Sequence, residues 1–77
     1  MPSATGTILL VQESRFRLLG DDGRGALFLL APDAPIEPQN LPPLAGRRVR
    51  VEYEEAPRLV AAGIARDLLL LDGEARA

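Results

Sequence analysis

Residues 47–55 alternate between apolar and charged side chains, and this alternation restricts the fold more than any other feature of the chain. Val49, Val51 and Tyr53 occupy every second position, and charged residues lie between them. Successive side chains of a β-strand point to opposite faces, so this spacing predicts a strand with one buried and one solvated face. We therefore expect the chain to fold around a β-sheet.

A second strong signal joins residues 14–19 to residues 25–31, two segments with strand-like composition. The sequence Gly-Asp-Asp-Gly-Arg-Gly at residues 20–25 separates them. An Asp-Gly pair between two strands favours a two-residue type I′ turn, because Asp and Gly tolerate the positive φ angles of that turn. We expect a hairpin that turns at Asp22-Gly23.

Two further strands are predicted at residues 6–12 and 59–70, which are rich in apolar and β-branched side chains. Between the third and fourth strands, residues 31–46 contain five of the seven prolines. Proline has no N–H to donate to a ladder, so this segment is predicted to be a connector with at most one helical turn, near Pro38. Leu41 and Leu44 would face the same way in such a turn.

The last predicted strand contains Gly63 and ends in four consecutive leucines. Gly63 indicates a bend or bulge where a neighbouring strand packs closely, and Val60, Ala62 and Ile64 are expected to point inward. One face of the strand can be buried in a small barrel, but the other needs a cover, either the connector or another subunit. We favour the subunit, because a small core gains stability by association. The candidate association surface consists of Leu68, Leu69, Leu70 and Leu71.

Three strands in a meander, a proline-rich connector and two more strands resemble the order of an OB-fold, a five-stranded Greek-key barrel. The resemblance covers residues 5–71, and residues 1–4 and 72–77 are expected to be flexible termini. It implies an all-β fold, a five-stranded OB-like Greek-key barrel with the connector between strands 3 and 4. We expect all five strands to be antiparallel. An SH3-like barrel, with a similar number of short strands, is the alternative.

Among OB proteins, the chain is most similar to cold-shock-type domains, whose nucleic-acid-binding motifs lie on the second and third strands. Residues 15–19, Arg-Phe-Arg-Leu-Leu, and residues 26–30, Ala-Leu-Phe-Leu-Leu, occupy these positions. Phe28 lies where the second motif has an aromatic residue. The glycine-flanked aromatic pair of the first motif and the histidine of the second are missing. Oligonucleotide binding is therefore not implied by the resemblance alone.

A turn at Asp22-Gly23 determines which residues of the hairpin share a face. Arg17 would pair with Phe28, and Arg15 with Leu30. The wholly apolar face, expected to be the barrel interior, would contain Phe16, Leu18, Leu27 and Leu29. The outer face, our candidate ligand face, would contain Arg15, Arg17, Phe28 and Leu30.

Composition excludes several kinds of chemistry. The 77 residues include neither cysteine nor histidine, so disulfides, zinc sites of Cys and His, and imidazole-activated nucleophiles are excluded. Asp21 and Asp22 lack the spacing of a calcium loop and are explained by the turn. We therefore expect no catalytic residue, no cofactor and no metal.

Charge and hydropathy restrict the classes of binding partner and the cellular location that we expect. Nine basic residues, all arginine, and eleven acidic ones give a formal net charge of −2. This charge argues against electrostatic binding of a polyanion over a large part of the surface. No apolar run approaches the roughly 18 residues of a membrane span, and the N-terminus does not resemble a signal peptide. The expected location is the cytoplasm.

These observations predict a non-enzymatic OB-like binding or interaction module, with protein contact or self-association favoured. The alternative is single-stranded nucleic-acid binding on the outer face of strands 2 and 3. In that case Arg15 and Arg17 would contact phosphates or bases, and Phe28 would offer a stacking platform.

Overall fold

The computed structural model of this chain describes residues 2–56 and 61–71. They form five strands: β1 (Ser3–Gln12), β2 (Arg15–Gly20), β3 (Gly25–Leu30), β4 (Arg48–Glu55) and β5 (Gly63–Leu70). The strands close into a barrel in the order β1-β2-β3-β5-β4. The predicted fold class is confirmed: an all-β, five-stranded OB-like barrel whose proline-rich connector lies between β3 and β4.

The strand bounds differ from the predicted ones mainly at the start of β1 and of β5. β1 begins at Ser3, and both Ser3 and Ala4 pair with β4, so pairing extends into the segment expected to be a flexible terminus. β5 begins at Gly63 instead of residue 59. Residues 57–60, which include Val60, and the predicted flexible tail at 72–77 lie outside the described residues.

One strand pair is parallel, which corrects the expectation of five antiparallel strands. Phe28, Leu29 and Leu30 of β3 pair in parallel with Gly63, Ile64 and Ala65 of β5. The other four pairs are antiparallel. β4 lies between β3 and β5 in the sequence and pairs antiparallel with β5. The chain direction therefore reverses between β4 and β5, and β5 runs parallel to β3. Alternation of apolar residues reveals a buried face but carries no information about the direction of the neighbouring strand.

The barrel interior is filled by side chains from every strand and from the connector. The ring of Phe28 stacks on that of Phe16, with centroids 5.6 Å apart, and meets the ring of Tyr53 at 4.9 Å. These are the three aromatic residues of the chain. The buried core consists of Ile8, Phe16, Leu18, Phe28, Leu30, Leu41, Val49, Val51, Ala65 and Leu68.

The connector supplies one side chain of that core. Instead of a single helical turn it forms two short 3-10 turns, Pro38–Asn40 and Pro42–Leu44. Leu41, between them, is fully buried, and Leu44 packs against the core. A proline at the start of each turn suits a position whose N–H would have no helical partner.

Gly63 lies at a close approach between β4 and β5, as predicted. A Cβ atom at this position would collide with the ring of Tyr53 and with the carbonyl oxygen of Glu54. A bulge in the β4–β5 pair shifts the register between Glu52 and Tyr53. Gly63 and Ala65 are buried, whereas Ala62 is exposed and Ile64 is half-buried, so the expectation that Ala62 and Ile64 point inward is wrong.

Candidate functional site

The β2–β3 hairpin has a different turn from the predicted one. Gly23 N–H donates to the carbonyl oxygen of Gly20 at 2.9 Å, and Gly20 N–H donates to that of Arg24 at 2.7 Å. Gly23 has a φ of 87°, and Asp21 and Asp22 do not have positive φ. The loop therefore has three residues, a turn centred on Asp21-Asp22 followed by glycine in the left-handed region, which is a common hairpin geometry.

This turn changes the pairing by one residue, and a shift of one residue moves every side chain to the other face. Arg17 pairs with Leu27 and Phe16 pairs with Phe28. Phe28 and Leu30 are 1% and 6% exposed, and both belong to the core. Their assignment to the outer ligand face is wrong, as is the inward assignment of Leu27 and Leu29. Arg15 and Arg17 are exposed, as predicted.

The outer face of β1, β2 and β3 contains a groove of about 180 Å³. Two rows of paired residues cross it. Leu10 pairs with Arg17, which pairs with Leu27, and Gln12 pairs with Arg15, which pairs with Leu29. We call this surface the arginine groove; its lining residues are Leu10, Gln12, Arg15, Phe16, Arg17 and Leu27.

A bulge in β1 supplies the apolar wall of the arginine groove. The β1–β2 register shifts between Ile8 and Leu10, so Leu9 is an extra residue in β1. Without it, Leu10 would share the inward face of Ile8, because residues two apart in a strand point the same way. With it, Leu10 is 49% exposed and Val11 packs against the core.

The two arginines of the groove differ from the ion-paired arginines of the barrel. Among the described residues, none forms an ion pair with Arg15 or Arg17. By contrast, Arg48 contacts Asp21 at 2.6 Å, and Arg66 contacts Asp33 at 3.0 Å. The hydrogen bond and the charge of Asp21 hold the pKa of Arg48 above its ordinary value. Within the described part of the chain, two guanidiniums beside the exposed Leu10 and the half-buried Leu27 thus remain available to a partner.

The four leucines of the predicted association surface are not equivalent. Leu68 is 8% exposed and belongs to the core, which removes it from any surface. Leu69 and Leu70 are 44% and 36% exposed, and Leu71 is half-buried. Leu69 pairs with Arg50 on the outside of the β4–β5 pair.

The aspartates of the hairpin loop have structural partners. Asp22 Oδ1 accepts a hydrogen bond from Arg24 N–H at 3.0 Å, and Asp21 pairs with Arg48. Over residues 2–56 and 61–71, no group of three or more acidic residues is arranged to hold a metal ion. In the same ranges, no helix has the length and apolar character that crossing a membrane requires.

Sequence reasoning missed Leu10 and Leu27 as lining residues of the groove, for two reasons. The bulge that exposes Leu10 lies in an uninterrupted apolar run, which gives no sign of it. The turn had a usable signal, because Gly23 after two aspartates also suits a three-residue loop with glycine in the left-handed position.

No family model matches this chain, and neither a curated protein nor a solved structure is significantly similar to it.

Proposed function

We propose that this protein is a non-enzymatic interaction module that docks a protein segment in the arginine groove. The observation that carries the proposal is the composition of the groove. The exposed Leu10 and the half-buried Leu27 flank two arginines that have no ion pair among the described residues. Arginine combines a charged, planar head with an apolar stem, and it is enriched in protein interfaces. Apolar contact would supply affinity, and the guanidiniums would select the charge of the partner.

The groove suits a protein better than a nucleic acid. Sequence-tolerant recognition of single strands relies on aromatic side chains on which bases stack. Phe16 borders the groove but is only 1% exposed, and its ring packs on that of Phe28. The accessible apolar surface of the groove therefore comes from leucines. The net charge of −2 adds long-range repulsion toward a polyanion.

The partner segment is expected to combine apolar and acidic side chains. An apolar residue would lie against Leu10 and Leu27, and a carboxylate could accept two hydrogen bonds from Arg15 or Arg17. The polar groups of the groove are two guanidiniums and the amide of Gln12. None of them is a nucleophile or a general base at neutral pH, which supports binding without catalysis.

Single-stranded nucleic acid remains the second candidate, in line with the cold-shock-type likeness of β2 and β3. The guanidiniums of Arg15 and Arg17, which have no ion pair with any residue of ranges 2–56 and 61–71, support it, because a local positive patch can persist on an acidic molecule. Such binding would depend mainly on phosphate contacts and would therefore weaken steeply with salt.

To test the protein-docking proposal, peptides that bind the intact protein can be selected from a displayed random library and their affinities measured by fluorescence anisotropy. Leu10→Gln should weaken the selected peptides about tenfold, because burial of a leucine side chain contributes roughly 1.5–3 kcal/mol. Leu70→Gln is the control, since Leu70 is also exposed, at 36%, but lies on β5 outside the groove. Equal affinity for the parent protein and Leu10→Gln would contradict the proposal.

The same assay with mixed single-stranded oligonucleotides at low salt tests the second candidate. We expect no saturable binding. Saturable binding that Arg15→Ala with Arg17→Ala abolishes, and whose salt dependence is steep, would favour nucleic acid over protein.

A further inference from the structure

The outer surface of the β4–β5 pair is chemically complementary to the arginine groove. Glu52 and Asp67 are directly opposite each other across the two strands, and both are exposed. Like charges in this arrangement disfavour the sheet. Leu69, 44% exposed, lies two residues after Asp67, and Arg50 is opposite it. We call this surface the acidic strip; it consists of Glu52, Asp67 and Leu69, with the guanidinium-bearing Arg50 beside Leu69.

The groove and the strip lie on opposite sides of the barrel. In the closed order β1-β2-β3-β5-β4, the neighbours of β2 are β1 and β3. The two strands that do not touch β2 are β4 and β5, which carry the acidic strip. One molecule therefore cannot bring its own strip into its own groove, but two molecules can join groove to strip.

We propose that the occupant of the arginine groove is the acidic strip of a second copy of this chain. This inference rests on the proposed function and specifies its partner. The carboxylates of Glu52 and Asp67 would meet Arg15 and Arg17, and Leu69 would lie against Leu10 and Leu27. Contact relieves the repulsion between the two carboxylates and gives the arginines their ion pairs.

The net charge of the whole chain is compatible with this contact. A formal charge of −2 produces only a small repulsion between copies, which contacts between opposite charges at short range can exceed. Local charges of opposite sign on the two surfaces then determine the relative orientation of the copies.

Joining two different surfaces produces head-to-tail association. The copy at one end of an assembly keeps a free groove, and the copy at the other end keeps a free strip. Further copies can bind at both ends, so the number of copies per assembly increases with concentration unless the assembly closes into a ring. The two surfaces are small, and small interfaces are characteristic of weak, reversible complexes. We therefore expect a concentration-dependent equilibrium instead of a stable dimer.

Sedimentation equilibrium with two variants tests this arrangement. The groove variant carries Arg15→Glu and Arg17→Glu, and the strip variant carries Glu52→Gln and Asp67→Asn. The average mass of the unaltered protein should rise with concentration, and salt should reduce the rise because it screens exposed charges. Each variant alone should associate at least tenfold more weakly.

An equimolar mixture of the two variants should form one groove-to-strip contact and no larger assembly. The strip variant has an intact groove, the groove variant has an intact strip, and the remaining pair of surfaces lacks complementary charge. The expected product is a one-to-one heterodimer without larger species. Its formation also shows that both variants are folded. Arg24→Glu and Glu37→Gln, exposed changes outside both surfaces, should associate like the unaltered protein.

Three results would overturn the inference: a monomer mass for the unaltered protein up to about 1 mM, where weak protein contacts form; unchanged association of either variant; or a mixture that stays monomeric. The proposed function fails separately. A monomeric protein whose groove still binds selected peptides retains the docking function and loses only the second copy as the partner. Loss of peptide binding as well would remove both.

Discussion

At the scale of single residues, Phe28 decides what the outer face can bind. Its ring is 1% exposed and contacts both Phe16 and Tyr53. The aromatic side chain that the sequence suggested as a stacking platform is thus a core residue. Leu27 and Leu29, its neighbours in sequence, point outward in its place and make the face aliphatic.

Replacement of Phe28 by alanine tests this placement. Removing a buried aromatic side chain leaves a cavity and should lower the free energy of unfolding by about 3–5 kcal/mol. Urea denaturation followed by circular dichroism measures the change. Leu10→Ala is the comparison, because Leu10 is 49% exposed and exposed substitutions usually change stability by about 0.5 kcal/mol or less. A cost for Phe28→Ala below about 1 kcal/mol would place the ring on the surface.

At the scale of elements, turns and bulges determine which side chains reach the arginine groove. The three-residue loop at Asp21–Gly23 sets the β2–β3 register, and the bulge at Leu9 turns Leu10 outward. The turn between β1 and β2 is tighter: only Glu13 and Ser14 separate the paired residues Gln12 and Arg15, and Glu13 has a φ of 54°. Local backbone geometry thus determines which side chains of β1, β2 and β3 line the groove.

Substitution of Gly23 tests the role of the hairpin loop. Gly23 has a φ of 87°, and a Cβ atom added there would meet no described atom beyond its chain neighbours within 4 Å, so any penalty comes from the backbone. Gly23→Ala should cost about 1–2 kcal/mol, and Gly23→Asn should cost less because asparagine tolerates the left-handed region. Thermal or urea unfolding gives both values. Equal stability of the alanine variant and the parent would contradict the turn geometry.

At the scale of the whole molecule, closure of the barrel gives one core that includes the connector. Leu41 is fully buried and belongs to the same core cluster as residues of all five strands, so connector and barrel share one core. A domain of this kind should unfold in one cooperative step. The closed order also places the arginine groove and the acidic strip on opposite sides of the barrel.

Tyr53 provides a probe for this cooperativity. It is the only tyrosine in a chain without tryptophan, and its ring contacts Phe28 in the interior. Tyrosine fluorescence and far-ultraviolet circular dichroism should report the same urea midpoint at low protein concentration, where association is negligible. Separate midpoints would show that the surroundings of Tyr53 unfold independently of the sheet.

Sequence reasoning reached the elements that depend on local composition. Alternation at Val49, Val51 and Tyr53 predicted β4, and the prolines of residues 31–46 predicted a connector without a strand. Gly63 predicted a close approach, because only a residue without Cβ fits against a neighbouring strand. Each of these features is determined within a few residues, by the direction of side chains or by a missing N–H.

The candidate site was only partly accessible to the same reasoning. Arg15 and Arg17 were placed correctly outside, but Phe28 and Leu30 were not, because their face depends on the number of residues in the turn. Gly-Asp-Asp-Gly permits both a two-residue and a three-residue loop, and the choice reverses every side chain of β3.

The sequence by itself determined the number of strands, the connector and the charge pattern of β4. The tertiary structure alone decided the β2–β3 register, the bulge at Leu9 and the parallel pairing of β3 with β5. These features depend on how the barrel closes around Phe16, Phe28 and Leu41, which are distant in sequence. Strands with apolar residues at most positions have several registers with similar local patterns, and only packing in the closed barrel selects one of them.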